Sequence, residues 1–222
     1  MKFYTYKLSE QAKQELAIGD FENESILYPL SQFDMHFTDM NELIARITPA
    51  ELEMLKTALH KEELREQLLK LNRADTIPCA AIPHPKQDVI CLGINYMAHA
   101  EESARYKEEA FGGERPYAIY FAKRVNEAVA DGGSIPAYEN LVDSLDYEAE
   151  LAVVIGKDAK NVSKEDAYDY IFGYTILNDM SARNLQTRHK QWYFGKSLDG
   201  FTPIGPCIAT IDAFENPPAL AI

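Results

Sequence analysis

The 222 residues hold 22 lysines and arginines against 35 aspartates and glutamates, a formal net charge of −13, with 46% hydrophobic residues. That is material for one large domain or two small ones, and the acidic balance argues against nucleic acid and anionic membrane as partners. No apolar run reaches the roughly 20 residues a membrane helix needs, and the start, MKFYTYKLSEQAKQEL, lacks a signal peptide's apolar core.

Most of the charge reads as surface solvation, and it is compatible with binding a cation. Cys79, Cys91 and Cys207 are odd in number and form no C-x-x-C motif. They read as small core residues of a protein in a reducing cytoplasm.

In chain order, KFYTYKL and ESILYPL read as short strands. Residues 48–71 predict one helix: Thr48 caps it, Pro49 suits its first position, Glu51 completes a capping box, and Leu52, Leu55, Leu59, Leu68 and Leu71 recur at near-helical spacing. IPCAAIPHPKQ, residues 77–87, carries three prolines and reads as an extended connector. A boundary is placed there, with an α+β N-terminal module over 1–85 and a second, strand-dominated module over 86–222. DVICLG predicts a strand, NYMAHAEESARYKEEA a helix or lid, and residues 117–122 another strand. LDYEAELAVVIG, residues 145–156, predicts a single strand. In NVSKEDAYDYIFG, Ser163 and Asp166 suggest a capped short helix stopped at Gly173, followed by the strand YTILND. SARNLQTRHKQW reads as a polar turn or short helix. The chain stops at FENPPALAI, which reads as the start of another strand.

The strand 145–156 poses the chemical question. Side chains two apart share a face, so Asp146, Glu148 and Glu150 point one way. Their like charges call for water or for a hard cation, whose preferred ligands are carboxylate oxygens. A solvent-facing acidic stripe is the alternative. Asp179 follows the apolar run 174–177 directly, a position suited to a ligand or catalytic group, and equally to an Asn-Asp turn. Arg183 and Gln186, three apart, offer a carboxylate-binding fork and an amide if a helical turn forms. His99 lies three before Glu102 and two before Glu101. Such a pair is a general base toward water or an exposed surface pair. Lys196 is either an oxyanion stabiliser or ordinary surface.

Taken together and in this order, ICLGINYMAHAEE, YFAKRVNEAV, LDYEAELAVVIGKDAKNVSKEDAYDYIFGYTILNDMSARNLQ and QWYFGKSLDGFTPIGP resemble the catalytic domain of the fumarylacetoacetate hydrolase family. The resemblance implies an α+β, strand-dominated fold, with mixed β-roll or barrel-like sheets and short helices, and a homodimer. It implies a divalent cation (magnesium, calcium or manganese) held by Glu148, Glu150 and Asp179. It assigns His99 and Glu102 to a water-activating pair, Lys196 to catalysis, and Lys123, Arg183 and Gln186 to substrate. Asp146 is expected beyond the ligands or facing solvent. Members continue into further strands and a G-D-x-I-x-x-G-T-P-x-G segment that this sequence does not contain.

The activity implied is metal-dependent hydrolysis of a C–C bond in a small 2,4-dioxo acid through a metal-bound enolate. Decarboxylation, isomerisation or dehydration of a 2-oxo acid is the alternative within the family, and an inactive fragment is the alternative outside it.

Overall fold

A computed structural model describes residues 1–93 and 117–215. The stretch read as a helix or lid, and with it His99 and Glu102, lies outside the described residues.

The first strand, β1 (Lys2–Lys7), forms an antiparallel meander with β2 (Glu15–Gly19), β3 (Ile26–Pro29) and β4 (Leu71–Asn72). On its other side β1 pairs with β12 (Ile204–Thr210), placing Phe3 opposite Ile208. Next come β10 (Ile171–Asn178) and β9 (Ala149–Ile155), giving the order β4-β3-β2-β1-β12-β10-β9. Part of the proline-rich connector, β5 (Ile77–Pro78), adds to the end of β1. Strands from both sides of residue 85 therefore share one sheet. Two ribbons complete the β structure: β6 (Val89–Gly93) with β7 (Ile119–Lys123), and β8 (Leu145–Asp146) with β11 (Ser181–Ala182). Every strand pair among the described residues is antiparallel, apart from one isolated parallel bridge between Val129 and Pro203.

Helices α1 (Met40–Arg46) and α2 (Pro49–His60) cover one face of the sheet. Their Met40, Leu43, Leu55 and Leu59 pack with Phe3, Ile18, Tyr28, Phe172 and Ile208 in the main core. The capping box forms as expected. The Thr48 hydroxyl accepts from the Glu51 N–H at 3.2 Å, and the Glu51 carboxylate accepts from the Thr48 N–H at 2.7 Å. Thr48→Ala is expected to cost about 1 kcal/mol, read as a lower melting temperature; an unchanged melt would remove the cap from the stability account.

The helix does not run to residue 71. Lys61 is extended, a single turn α3 (Glu62–Arg65) follows, and Leu71 pairs with Leu27 in β4. Leu55 and Leu59 are fully buried, whereas Leu64 and Leu69 are exposed, so the leucine spacing is one helix and one strand in succession.

The Ser163–Asp166 box also forms, but it leads only into a 3-10 turn at Ala167–Tyr170. Gly173 stops nothing: it lies inside β10, where a Cβ would stand 2.2 Å from the Ala209 carbonyl oxygen. Its lack of a side chain serves the close approach of β12.

Candidate active site

The expected single strand 145–156 is two strands in two sheets. β8 pairs with β11, β9 pairs with β10, and Tyr147 and Glu148 form the crossing. The break costs Glu148 its ladder partners, and residues 178–179 replace them. Its N–H donates to Asn178 Oδ1 at 3.2 Å, and its carbonyl accepts the Asp179 N–H at 2.8 Å. The end of β10 is thus tied to the start of β9, which brings the Glu148 and Asp179 carboxylates together. A second core under this crossing holds Val142, Met180, Ala182, Leu185 and Phe201. It fixes β11 and α4 (Arg183–Arg188), the helix that carries Arg183 and Gln186.

The charged groups form an alternating chain. Lys123 Nζ donates to Asp179 Oδ1 at 2.6 Å and to the Met180 carbonyl at 3.2 Å. Lys196, the last residue of the short helix α5 (Tyr193–Lys196), donates to Asp179 Oδ2 at 2.6 Å and Glu148 Oε2 at 2.8 Å. Its ammonium also lies 5.2 Å from the centre of the Phe121 ring. Arg183 reaches Glu148 Oε1 at 2.5 Å and donates twice to Asp146 Oδ2, at 2.9 and 2.7 Å, while Gln186 Oε1 accepts from it at 3.0 Å. The Ser181 hydroxyl lies within 3.3 Å of Glu148 Oε1 and 3.0 Å of the Asp179 carbonyl.

Lys123 is 0% exposed and Lys196 2%. Ions this dry are tolerated only when paired and hydrogen-bonded, and the alternation of cation and carboxylate supplies that. Burial pushes the Lys123 ammonium below its usual range, with Asp179 pulling the other way. Burial disfavours the Glu148 carboxylate, but Lys196 and Arg183 outweigh it and hold the group below the ordinary carboxylate range. Cys91 lies near this chain, and burial raises its thiol to about 12, which leaves it a thiol and a poor nucleophile.

Of the residues singled out from sequence, Asp146, Glu148, Glu150, Asp179, Arg183, Gln186 and Lys196 line one cavity of about 1320 Å³ among the described residues. Lys123 sits behind that wall. Sequence reasoning missed Asn178 and Ser181, whose only signal was adjacency to Asp179, and it missed the Asp146–Arg183 pair, which no local spacing announces.

Among the described residues no three His, Cys, Asp or Glu side chains come close enough together to hold a metal ion. Two of the three candidate ligands, Glu148 and Asp179, nevertheless converge on one cation, the Lys196 ammonium. Their oxygens are the hard donors that magnesium, calcium and manganese prefer. Glu150 lines the same cavity two residues further along β9. The donor chemistry fits a hard divalent ion.

An antiparallel sheet with short helices thus carries a buried cluster of carboxylate and ammonium groups. The family model described as fumarylacetoacetate (FAA) hydrolase C-terminal matches residues 88–222, and the chain belongs to that family. It is 45% identical over 143 residues to the oxaloacetate tautomerase YisK of Bacillus subtilis (strain 168), covering 64% of this chain and 46% of that protein. It is 32% identical over 207 residues to an uncharacterized protein of Staphylococcus aureus (strain USA300), covering 93% and 62%. The chain thus spans roughly half to three fifths of these relatives. The fumarylacetoacetate hydrolase of psychrophilic Exiguobacterium antarcticum superposes with a TM-score of 0.74 at 29% identity, over 97% of this chain and 68% of that one. A maleylpyruvate hydrolase from Sphingobium sp. SYK-6, solved with manganese(II) and pyruvate, shares the fold at 24% identity and a TM-score of 0.65, over 98% of this chain and 70% of that one. Among the described residues no helix is long and apolar enough to cross a membrane.

Proposed function

We propose that this chain carries the active site of a divalent-metal-dependent enzyme that forms the enol of a small 2-oxo acid, with keto–enol tautomerisation of a 2-oxo dicarboxylate such as oxaloacetate as its reaction. The observation that supports it is the alternating chain Lys123–Asp179–Lys196–Glu148–Arg183 at the wall of the cavity. Enolisation places negative charge on an oxygen, and fixed cations in a dry site stabilise such charge far better than water does. The identity to oxaloacetate tautomerase favours a dicarboxylate as the substrate.

Glu148, Glu150 and Asp179 are the residues that would hold the ion, which supplies Lewis acidity when bound. Arg183, braced by Asp146 and Gln186, orients a substrate carboxylate. Lys196 supplies positive charge where the enol oxygen develops. Lys123, buried behind the wall, holds Asp179 in place. His99, which the family resemblance pairs with Glu102, is the residue proposed to move the proton at the substrate's C3 carbon. The same pair favours a second reading, in which His99 takes a proton from water and the enzyme cleaves the C–C bond of a 2,4-dioxo acid. A homodimer in the cytoplasm accompanies either reading.

The deciding experiment follows the enol absorbance of oxaloacetate and of an acylpyruvate with the purified chain and manganese, before and after EDTA, with products weighed by mass spectrometry. Accelerated equilibration at constant mass supports tautomerisation, and two smaller acids support hydrolysis. Activity indifferent to EDTA and to Glu148→Ala would sink the metal-dependent reading altogether.

A further inference from the structure

We infer that the Lys196 ammonium is a built-in stand-in for the divalent ion, bridging Glu148 and Asp179 until the ion arrives and then being released into the cavity to meet an anionic substrate. The inference rests on the reading that these carboxylates are ligands, and it adds an order of events.

The backbone sets two carboxylates side by side at this point. The Asp179 N–H to Glu148 carbonyl bond holds the two residues together whatever their side chains do. The Glu148 side chain is 17% exposed and that of Asp179 4%, so water screens their repulsion poorly. Lys196 donates to both carboxylates, at 2.8 and 2.6 Å.

The division of oxygens makes the exchange simple. Glu148 Oε1 is held by Arg183 and Asp179 Oδ1 by Lys123. Only Glu148 Oε2 and Asp179 Oδ2 point at Lys196. An incoming ion can take those two oxygens without turning either carboxylate. It cannot share them with an ammonium at hydrogen-bond distance, because the like charges repel.

Lys196 leaves by its side chain alone. Its helix is pinned at Gly195, where a Cβ would stand 2.7 Å from the Gln186 nitrogen and 2.8 Å from the Ala182 oxygen. Lys196 and the Phe121 ring, 5.2 Å from its ammonium, both line the cavity, so the side chain opens directly onto it. Once released, the lysine presents its charge to the cavity. Ion binding therefore creates the positive site that an acid substrate needs, which makes the ion the first to bind and the acid the second.

Two measurements on the whole chain test this. In a manganese titration followed by electron paramagnetic resonance, Lys196→Gln is expected to bind the ion about tenfold more tightly than wild type, because the self-occupied state no longer withholds the site. In wild type, acetic anhydride labelling read by mass spectrometry is expected to rise severalfold at Lys196 when manganese is added, while Lys123 stays protected. The second measurement needs no variant to fold. Manganese binding with unchanged or reduced Lys196 labelling would overturn the stand-in role while leaving the metal site standing, as would equal or weaker binding by a folded Lys196→Gln. No manganese binding by wild type would overturn both.

Discussion

Replacing Asp179 with Asn is expected to lower stability by about 3–5 kcal/mol, because it removes the one carboxylate shared by two buried ammonium groups and strands that of Lys123. Lys123 is 0% and Lys196 2% exposed, and both donate to Asp179 at 2.6 Å. Lys196 keeps Glu148 as a partner, but Lys123 is left with the Met180 carbonyl alone. The melting temperature should fall by roughly 10 °C in a chain of this size. Lys123→Met is expected to cost clearly less, since the Asp179 carboxylate then keeps Lys196 and an apolar chain fills the buried space. Thermal melts of the two variants in EDTA check the order. A smaller loss for Asp179→Asn than for Lys123→Met would contradict this account of the charge chain.

Gly173→Val is expected to be about as damaging for a purely steric reason. The nearest atoms to a Cβ at this position are the Ala209 carbonyl oxygen at 2.2 Å, its carbon at 2.9 Å and Thr210 Cα at 3.0 Å. All three are backbone, so relief requires β10 and β12 to separate in the middle of the sheet. Overpacking of this kind costs about 3 kcal/mol. Gly132→Ala is the control: nothing lies within 4 Å of its Cβ position, and only its φ of +76° is strained. Comparable melts for the two variants would argue that β10 and β12 are less tightly joined than described.

These two positions show what the sequence could and could not express. Asp179 was legible, as an acid placed directly after an apolar run, and Arg183 and Gln186 were legible as a pair three apart, because helical spacing is local. The strands DVICLG and YTILND could be read for the same reason. Gly173 was misread as a stop, since a glycine that ends a helix and one that admits a neighbouring strand look alike until the neighbour is known. The split at Tyr147–Glu148 was invisible because it depends on pairing with Ser181 and Ala182, more than thirty positions away. Alternation predicted a shared face for Asp146, Glu148 and Glu150. All three line the cavity, and the crossing also gives the first two a common partner in Arg183. The resemblance assigns Lys123 to substrate, while its full burial beside Asp179 is visible only in the fold.

The pairing of β1 with β12 has a consequence for how the chain is made. The Met1 amine donates to Thr210 Oγ1 across a sequence separation of 209 residues, and Phe3 lies beside Ile208. On the ribosome, β1 can join β2 and β3 early and β5 can cover the end of its other edge, but Lys2 and Phe3 on that edge wait for β12, residues 204–210, synthesised some 10–40 s later at about 5–20 residues per second. For that interval the start of β1 offers unpaired N–H and C=O groups to whatever strand it meets first. A nascent chain held at that stage is exposed to mispairing with its neighbours through that short edge.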